Sequence, residues 1–142
     1  MQVFRLINKA HDSIEIGTFL TRGSNASNQK LADGMYFATT RDGASAFAGT
    51  RRYEYTHILT CELVGLEEAD FIDLTKEPSK VVRWQNHKGL KTKREAAVDL
   101  CHADGKKGLI WKSQTRESWT ELCLLTEHIP HTVRIEAAEE IP

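Results

Sequence analysis

Residues 31–49 read LADGMYFATTRDGASAFAG, and this stretch decides the fold class. Asp33-Gly34 is a turn dipeptide, and the apolar run after it ends on an aromatic pair, Tyr36-Phe37. Residues 35–38 are therefore expected to form a short strand. Two threonines follow, Thr39 and Thr40, either able to cap a helix. The Ala-rich residues 41–48 are expected to be that helix, with Asp42 favourably placed in its first turn. A strand that runs through a cap into a helix sets an aromatic ring, here Tyr36, at the mouth of a cleft. A flat, partly cationic ligand ring can stack on it there.

Outward from this segment the chain is a series of short strands. Residues 3–7 (VFRLI) form an apolar strand carrying Arg5, and residues 8–13 are polar. Residues 20–29 (LTRGSNASNQ) read as a loop. Residues 55–64 (YTHILTCELV) give the clearest strand, too apolar for an exposed edge. Residues 71–74 form another short strand, Pro78 marks a break, and residues 79–87 read as a short helix or irregular segment. Ala96, Ala97, Leu100 and Cys101 repeat at helical spacing within 93–103, and Asp104-Gly105 ends that helix. Residues 109–112 and 122–126 are strands around a polar turn, 113–120. Residues 133–135 form a last strand before an acidic tail. Without alternating βαβ units, this pattern predicts one α+β domain over residues 1–142, built on a twisted, mostly antiparallel sheet pair.

The bulk properties bound the rest. The 142 residues are 40% hydrophobic and 27% charged with net charge −1, which argues against disorder and against a strongly basic nucleic-acid binder. No apolar run approaches the ~20 residues that span a bilayer, and the N-terminus lacks the pattern of a signal peptide. The three cysteines, Cys61, Cys101 and Cys123, are odd in number and lie in apolar settings. They read as reduced, buried thiols, and the expected location is the cytoplasm of a producing or target cell. No CxxC or HExxH spacing occurs around His102, His128 and His131, so no metal is expected.

Three residues supply complementary chemistry. Glu121, at the entrance of the 122–126 strand, can accept hydrogen bonds from a sugar hydroxyl and stabilise developing positive charge. Tyr36 offers an aromatic face, and Arg5 a fork of donors for ribose or phosphate oxygens. The bland readings are packing for Tyr36, a solvated strand end for Glu121, and a surface pair with Glu15 or Glu62 for Arg5. Glu117, four residues earlier, is the alternative carboxylate.

Residues 34–38 (GMYFA) with Ala44-Ser45-Ala46 resemble the G-x-Y-F-A…S-A segment of the poly(ADP-ribose) polymerase branch of the ADP-ribosyltransferase superfamily. Residues 58–63 (ILTCEL) are similar to the core strand of that branch, and residues 121–126 (ELCLLT) to the strand opened by its catalytic glutamate. The resemblance implies a split β-sheet and NAD as substrate. It also implies the catalytic set Arg5, Tyr36 and Glu121, with Phe37 and Ser45 beside the cofactor. The first-motif position holds Arg5 rather than the His of the polymerase branch, which speaks against polymer elongation. The paired glutamates of arginine-modifying relatives are absent, since Trp119 stands two residues before Glu121. Residues 108–113 (GLIWKS) resemble the G-I-x-Y-P-S segment of the NAD-consuming RES-domain group, which adds Ser113 as a pocket donor.

The implied activity is mono-ADP-ribosylation of a macromolecular acceptor, protein rather than nucleic acid, by a small bacterial or phage toxin or effector. An NAD glycohydrolase or phosphorylase is the alternative within the same chemistry. The alternative of another class is a binding module using residues 76–94. That segment carries Lys76, Lys80, Arg83, Lys88, Lys91, Lys93 and Arg94 against one acid, Glu77.

Overall fold

The computed structural model describes residues 1–21, 32–50, 54–113 and 119–141. Its strands are β1 (Gln2–Ile7), β2 (Gly34–Ala38), β3 (His57–Leu63), β4 (Phe71–Asp73), β5 (Gly108–Lys112), β6 (Thr120–Leu125) and β7 (Val133–Glu140). The α-helices among the described residues are α1 (Arg41–Thr50), α2 (Lys80–Lys88) and α3 (Lys93–Asp104). The strands form one mixed sheet in the order β4-β5-β6-β2-β1-β3-β7, antiparallel throughout except for the β4–β5 pair. The domain is thus α+β, with a mostly antiparallel sheet that has the usual right-handed twist of paired strands.

Local chemistry accounts for the helix ends. Of the two candidate caps for α1, Thr40 takes the role: its Oγ1 accepts from the Gly43 N–H at 3.0 Å. Thr39 turns instead to Thr120, extending the β2–β6 pairing by one step. Thr92 caps α3 through Glu95 N–H at 3.1 Å, and Gly105, in the left-handed region at φ 66°, closes it.

The sheet has two apolar faces. Odd-numbered residues of β1 (Val3, Ile7) and β3 (Leu59, Cys61, Leu63) join Met35, Phe37, Leu122 and Leu124 in one layer, closed by Ile14, Leu20 and Leu66. On the other face α2 and α3 bury Val81, Ala96, Ala97 and Leu100 against Ile72, Leu109, Cys123 and Leu125. There, too, α1 sets Ala44 over Ala38, Ile58, Phe4 and Leu6. α1 therefore covers one half of this helical face and α2–α3 the other.

The structure corrects several expectations. β6 starts at Thr120, so Glu121 lies inside the strand rather than at its entrance. Cross-strand pairing with Trp111 and Ala38 draws these residues out of the turn. The acidic stretch after residue 135 is no tail: it continues β7 to Glu140 along β3, past a register shift at Thr60/Cys61. This edge strand is charged, and the other edge, β4, is only three residues long; both features discourage edge-to-edge aggregation. One crossover of the βαβ kind does exist, because α2 and α3 lie between the parallel strands β4 and β5. β3, read as too apolar for an edge, lies between β1 and β7. Residues 22–29 of the polar loop, and Glu117, lie outside the described residues. No helix among the described residues is long and apolar enough to cross a membrane.

Two glycines permit the central packing. A Cβ on Gly34 would stand 2.1 Å from the Leu124 carbonyl oxygen, and one on Gly108 would stand 1.8 Å from that of Cys123. Both clashes are with backbone, which has no rotamer to yield. Gly34→Ala and Gly108→Ala are each expected to cost about 1–3 kcal/mol or more, read as a lower urea midpoint. Gly49→Ala in α1, where a Cβ meets nothing within 4 Å, serves as the control that holds or raises the midpoint. The three cysteines are buried, and burial pushes each thiol up to about 12. At pH 8 the native protein is expected to leave a thiol-exchange reagent unreacted, and denaturant to release all three thiols. Rapid native reaction at any one would overturn the assignment.

Candidate functional site

β1 and β2 meet at a seam. A single register pair, Phe4↔Ala38, joins them, whereas β1 holds β3 through six pairs and β2 holds β6 through five. Continuing the antiparallel register would set Leu6 opposite Tyr36, but the strands part there. The Tyr36 carbonyl instead accepts from Arg5 Nη1 at 3.0 Å, so a side chain stands where a ladder N–H would be. The sheet is continuous in order and nearly divided at this line.

Arg5 is half-buried and flanked by Val3 and Ile7, and its Cζ lies 6.0 Å from the centroid of the Phe37 ring. It makes no ion pair with a carboxylate among the described residues, and Glu62, one expected partner, takes the N-terminal ammonium at 2.5 Å. Desolvation lowers the Arg5 pKa, opposed by attraction toward Cys61, Asp12 and Tyr55. The Cys61 thiol, pushed up to about 12 by burial, is neutral at ordinary pH and supplies no counter-charge. The guanidinium therefore keeps its charge with little local compensation.

Tyr36 and Glu121 belong to the other face of the sheet. Tyr36 shares the apolar layer under α2–α3; its ring meets Trp111 edge-on, centroids 5.7 Å apart at 81°. Its hydroxyl accepts from the Ala32 N–H at 3.0 Å and donates to the Ala32 carbonyl, which fixes the ring. Glu121 is half-buried, opposite Ala38 on one side and Trp111 on the other. Tyr36 is paired with Cys123, so it is Glu121's diagonal neighbour on this face, about 7–8 Å away for such a pair.

The expected set is thus spread over three neighbouring strands, β1, β2 and β6, and over both faces of the sheet. Tyr36 and Glu121 share the helical face, while Arg5 rises from the opposite face and reaches into the seam. Phe37 is 3% exposed in the core beneath Arg5, where it packs instead of presenting a surface to a cofactor. Ser45 is exposed on α1. Ser113 is buried at the end of β5, and its N–H donates to the Trp119 carbonyl at 3.3 Å.

The sequence reads Trp119 as a packing residue near enough to Glu121 to wall a pocket. It is 3% exposed and wedged under the first turn of α1, where a Cβ on Gly43 would stand 2.6 Å from its own Cβ. Its indole Nε1–H is buried without a hydrogen-bond partner. No sequence signal marks this environment, because it is set by the packed neighbours.

Elsewhere the surface is less suggestive. Two cavities, of about 460 Å³ beside Lys9, Asp12, His57 and Glu140 and about 320 Å³ beside Lys80, Trp84, His87 and Asp104, do not include Tyr36 or Glu121. The basic segment is largely answered by acids: Lys76 faces Asp73, Lys80 Asp104, Arg83 Glu77 and Arg94 Asp33, at 3.1–3.8 Å. Lys88 lies over the Trp84 ring at 5.0 Å. Among the described residues no group of three or more His, Cys, Asp or Glu is arranged to hold a metal ion. No protein-family model matches this chain, and no match was found among curated proteins or solved structures.

Proposed function

We propose that this chain is an NAD-dependent mono-ADP-ribosyltransferase, cleaving the nicotinamide–ribose bond and passing ADP-ribose to a macromolecular acceptor. The observation that carries the reading is Arg5 at the seam: a desolvated guanidinium with one hydrogen bond and no carboxylate partner among the described residues. A fold keeps such a cation at a cost unless an anion completes it, and a dinucleotide's phosphates are suited to a guanidinium fork. The fixed ring of Tyr36 and the half-buried carboxylate of Glu121 are diagonal neighbours on the other face of the sheet, across β2 and β6.

In this reading Tyr36 stacks on the nicotinamide, whose positive charge suits an aromatic face. Glu121 accepts a hydrogen bond from a ribose hydroxyl. The C1′–N bond then breaks, its electron pair leaving with neutral nicotinamide, and the sugar gains oxocarbenium character that the Glu121 carboxylate stabilises. A nucleophile of the acceptor bonds to C1′ and loses its proton to solvent. Arg5 anchors a ribose or phosphate oxygen, and Ser113 donates at the pocket wall. Because the charge of segment 76–94 is mostly paired, a protein acceptor suits it better than a nucleic acid. A toxin or effector role follows by analogy with the resembled family alone.

Nicotinamide release from NAD⁺ tests the reading. Glu121→Gln is expected to slow it about 10²–10³-fold with an unchanged melting temperature, and Arg5→Met is expected to raise KM for NAD. Release that needs a protein acceptor marks a transferase, and release in buffer alone marks the hydrolase. No release under either condition would sink the enzyme reading.

A further inference from the structure

We infer that the cleft between α2 and α3 is a docking site for a partner protein, which enters it with an acidic segment carrying a bulky apolar side chain among its carboxylates. This site is independent of the NAD reading; under that reading it is where the acceptor docks. The cleft has a volume of about 320 Å³ and is lined by Lys80, Arg83, Trp84 and His87 of α2 and by Leu100 and Asp104 of α3. The four α2 residues recur at i, i+3, i+4 and i+7, which places them on one side of the helix. Trp84 and Leu100 supply an apolar floor, and Lys80, Arg83 and His87 a basic wall.

Charge decides what can enter. Residues 76–107, which hold both helices, carry nine Lys or Arg against four Asp or Glu, in a chain whose net charge is −1. The rest of the chain is therefore acidic, and the basic excess is concentrated on this helical pair. The acids that answer the wall hold it loosely. Arg83 meets Glu77 at 3.1 Å and Lys80 meets Asp104 at 3.4 Å, with all four side chains a third or more exposed. Pairs of that kind contribute little to stability, so incoming carboxylates can replace them. His87 stands exposed beside them.

The floor favours a peptide over a nucleic acid. A stacking base needs an open aromatic face, but Lys88 lies over the Trp84 ring at 5.0 Å and His87 packs against it, centroids 6.1 Å apart. The ring is also fixed at its edge, where the indole N–H donates to Asp99 at 2.7 Å. Glu77, Asp99 and Asp104 interrupt the basic surface and would repel a continuous phosphate backbone. An apolar side chain can instead rest on Trp84 and Leu100 while carboxylates on either side of it reach Lys80, Arg83 and His87.

Binding of the peptides acetyl-Glu-Glu-X-Glu-Glu-amide, with X as Gly, Leu or Phe, tests the assignment. The readout is the Trp84 indole N–H resonance, identified by its loss in Trp84→Phe. The Leu and Phe peptides are expected to move it and to bind about tenfold or more tightly than the Gly peptide. Arg83→Glu combined with His87→Glu is expected to weaken them about tenfold or more with an unchanged melting temperature, because both side chains are exposed. Lys9→Glu, at the other cavity, is the charge control that leaves affinity within about twofold. No response to any of the three peptides, equal affinity for the Gly peptide, or binding undiminished by the double reversal would overturn the assignment. Tighter binding of oligo(dT) than of the Leu and Phe peptides would overturn it in favour of a nucleic acid. No NAD enters these titrations, so their failure and a failure of nicotinamide release are told apart.

Discussion

β6 lies between β2 and β5 only because both neighbours place a glycine against its backbone. Gly34 and Gly108 bring Cα atoms to the carbonyls of Leu124 and Cys123, nearer than any side chain permits. Everything on the helical face follows from that insertion. It pairs Glu121 with Ala38 and Trp111, Cys123 with Tyr36 and Leu109, and Thr120 with Lys112 beside Thr39. It also sets the start of β6 under the first turn of α1, where Trp119 fills the space that Gly43 leaves. The two motif glycines are therefore packing requirements first, and the chemistry of the neighbouring residues depends on them.

The seam has a different physical origin. Within β1 the side chains of Val3 and Ile7 are fully committed to the core, and Arg5 stands between them on the same face. A guanidinium cannot join that layer without a partner, so it turns toward the Tyr36 carbonyl and donates to it. The Phe37 ring beneath it offers a weak electrostatic contact at 6.0 Å, far short of a counter-ion. The line between β1 and β2 is thus held by one ladder pair and one side-chain bond.

Most of the fold was legible because its signals are local. Turn dipeptides, the apolar run of β3 and the helical spacing of α3 each act over a few residues, and tertiary contacts agreed with them. The misses are places where pairing with a distant strand decided the outcome. Thr120 looks like a turn residue, and Glu121 like a strand entrance, until β2 and β5 bracket them, and residues 137–140 look like a tail until β3 pairs with them. The site was less legible than the fold. Residue types at Arg5, Tyr36 and Glu121 suggested roles, but nothing in a one-dimensional pattern tells which face of a sheet each will share. Strand parity, fixed by register, puts Arg5 and Phe37 on one face and Tyr36 and Glu121 on the other.

Three departures stand near one another among the described residues: an interrupted ladder, a guanidinium with no carboxylate ion pair, and a buried indole N–H with no hydrogen-bond partner. Each is unfavourable in the free protein, by amounts on the order of 1–3 kcal/mol for an unsatisfied buried group. They are not scattered. All three fall on β1, the β2–α1 segment and the start of β6, while the two apolar layers elsewhere are regularly packed. What Arg5 and Trp119 have in common is an N–H group short of acceptors among the described residues, the one on the face opposite Glu121 and the other beside the start of β6. Phosphate oxygens would supply the acceptors that the Arg5 fork lacks, and that links the energetics of the seam to the proposed chemistry.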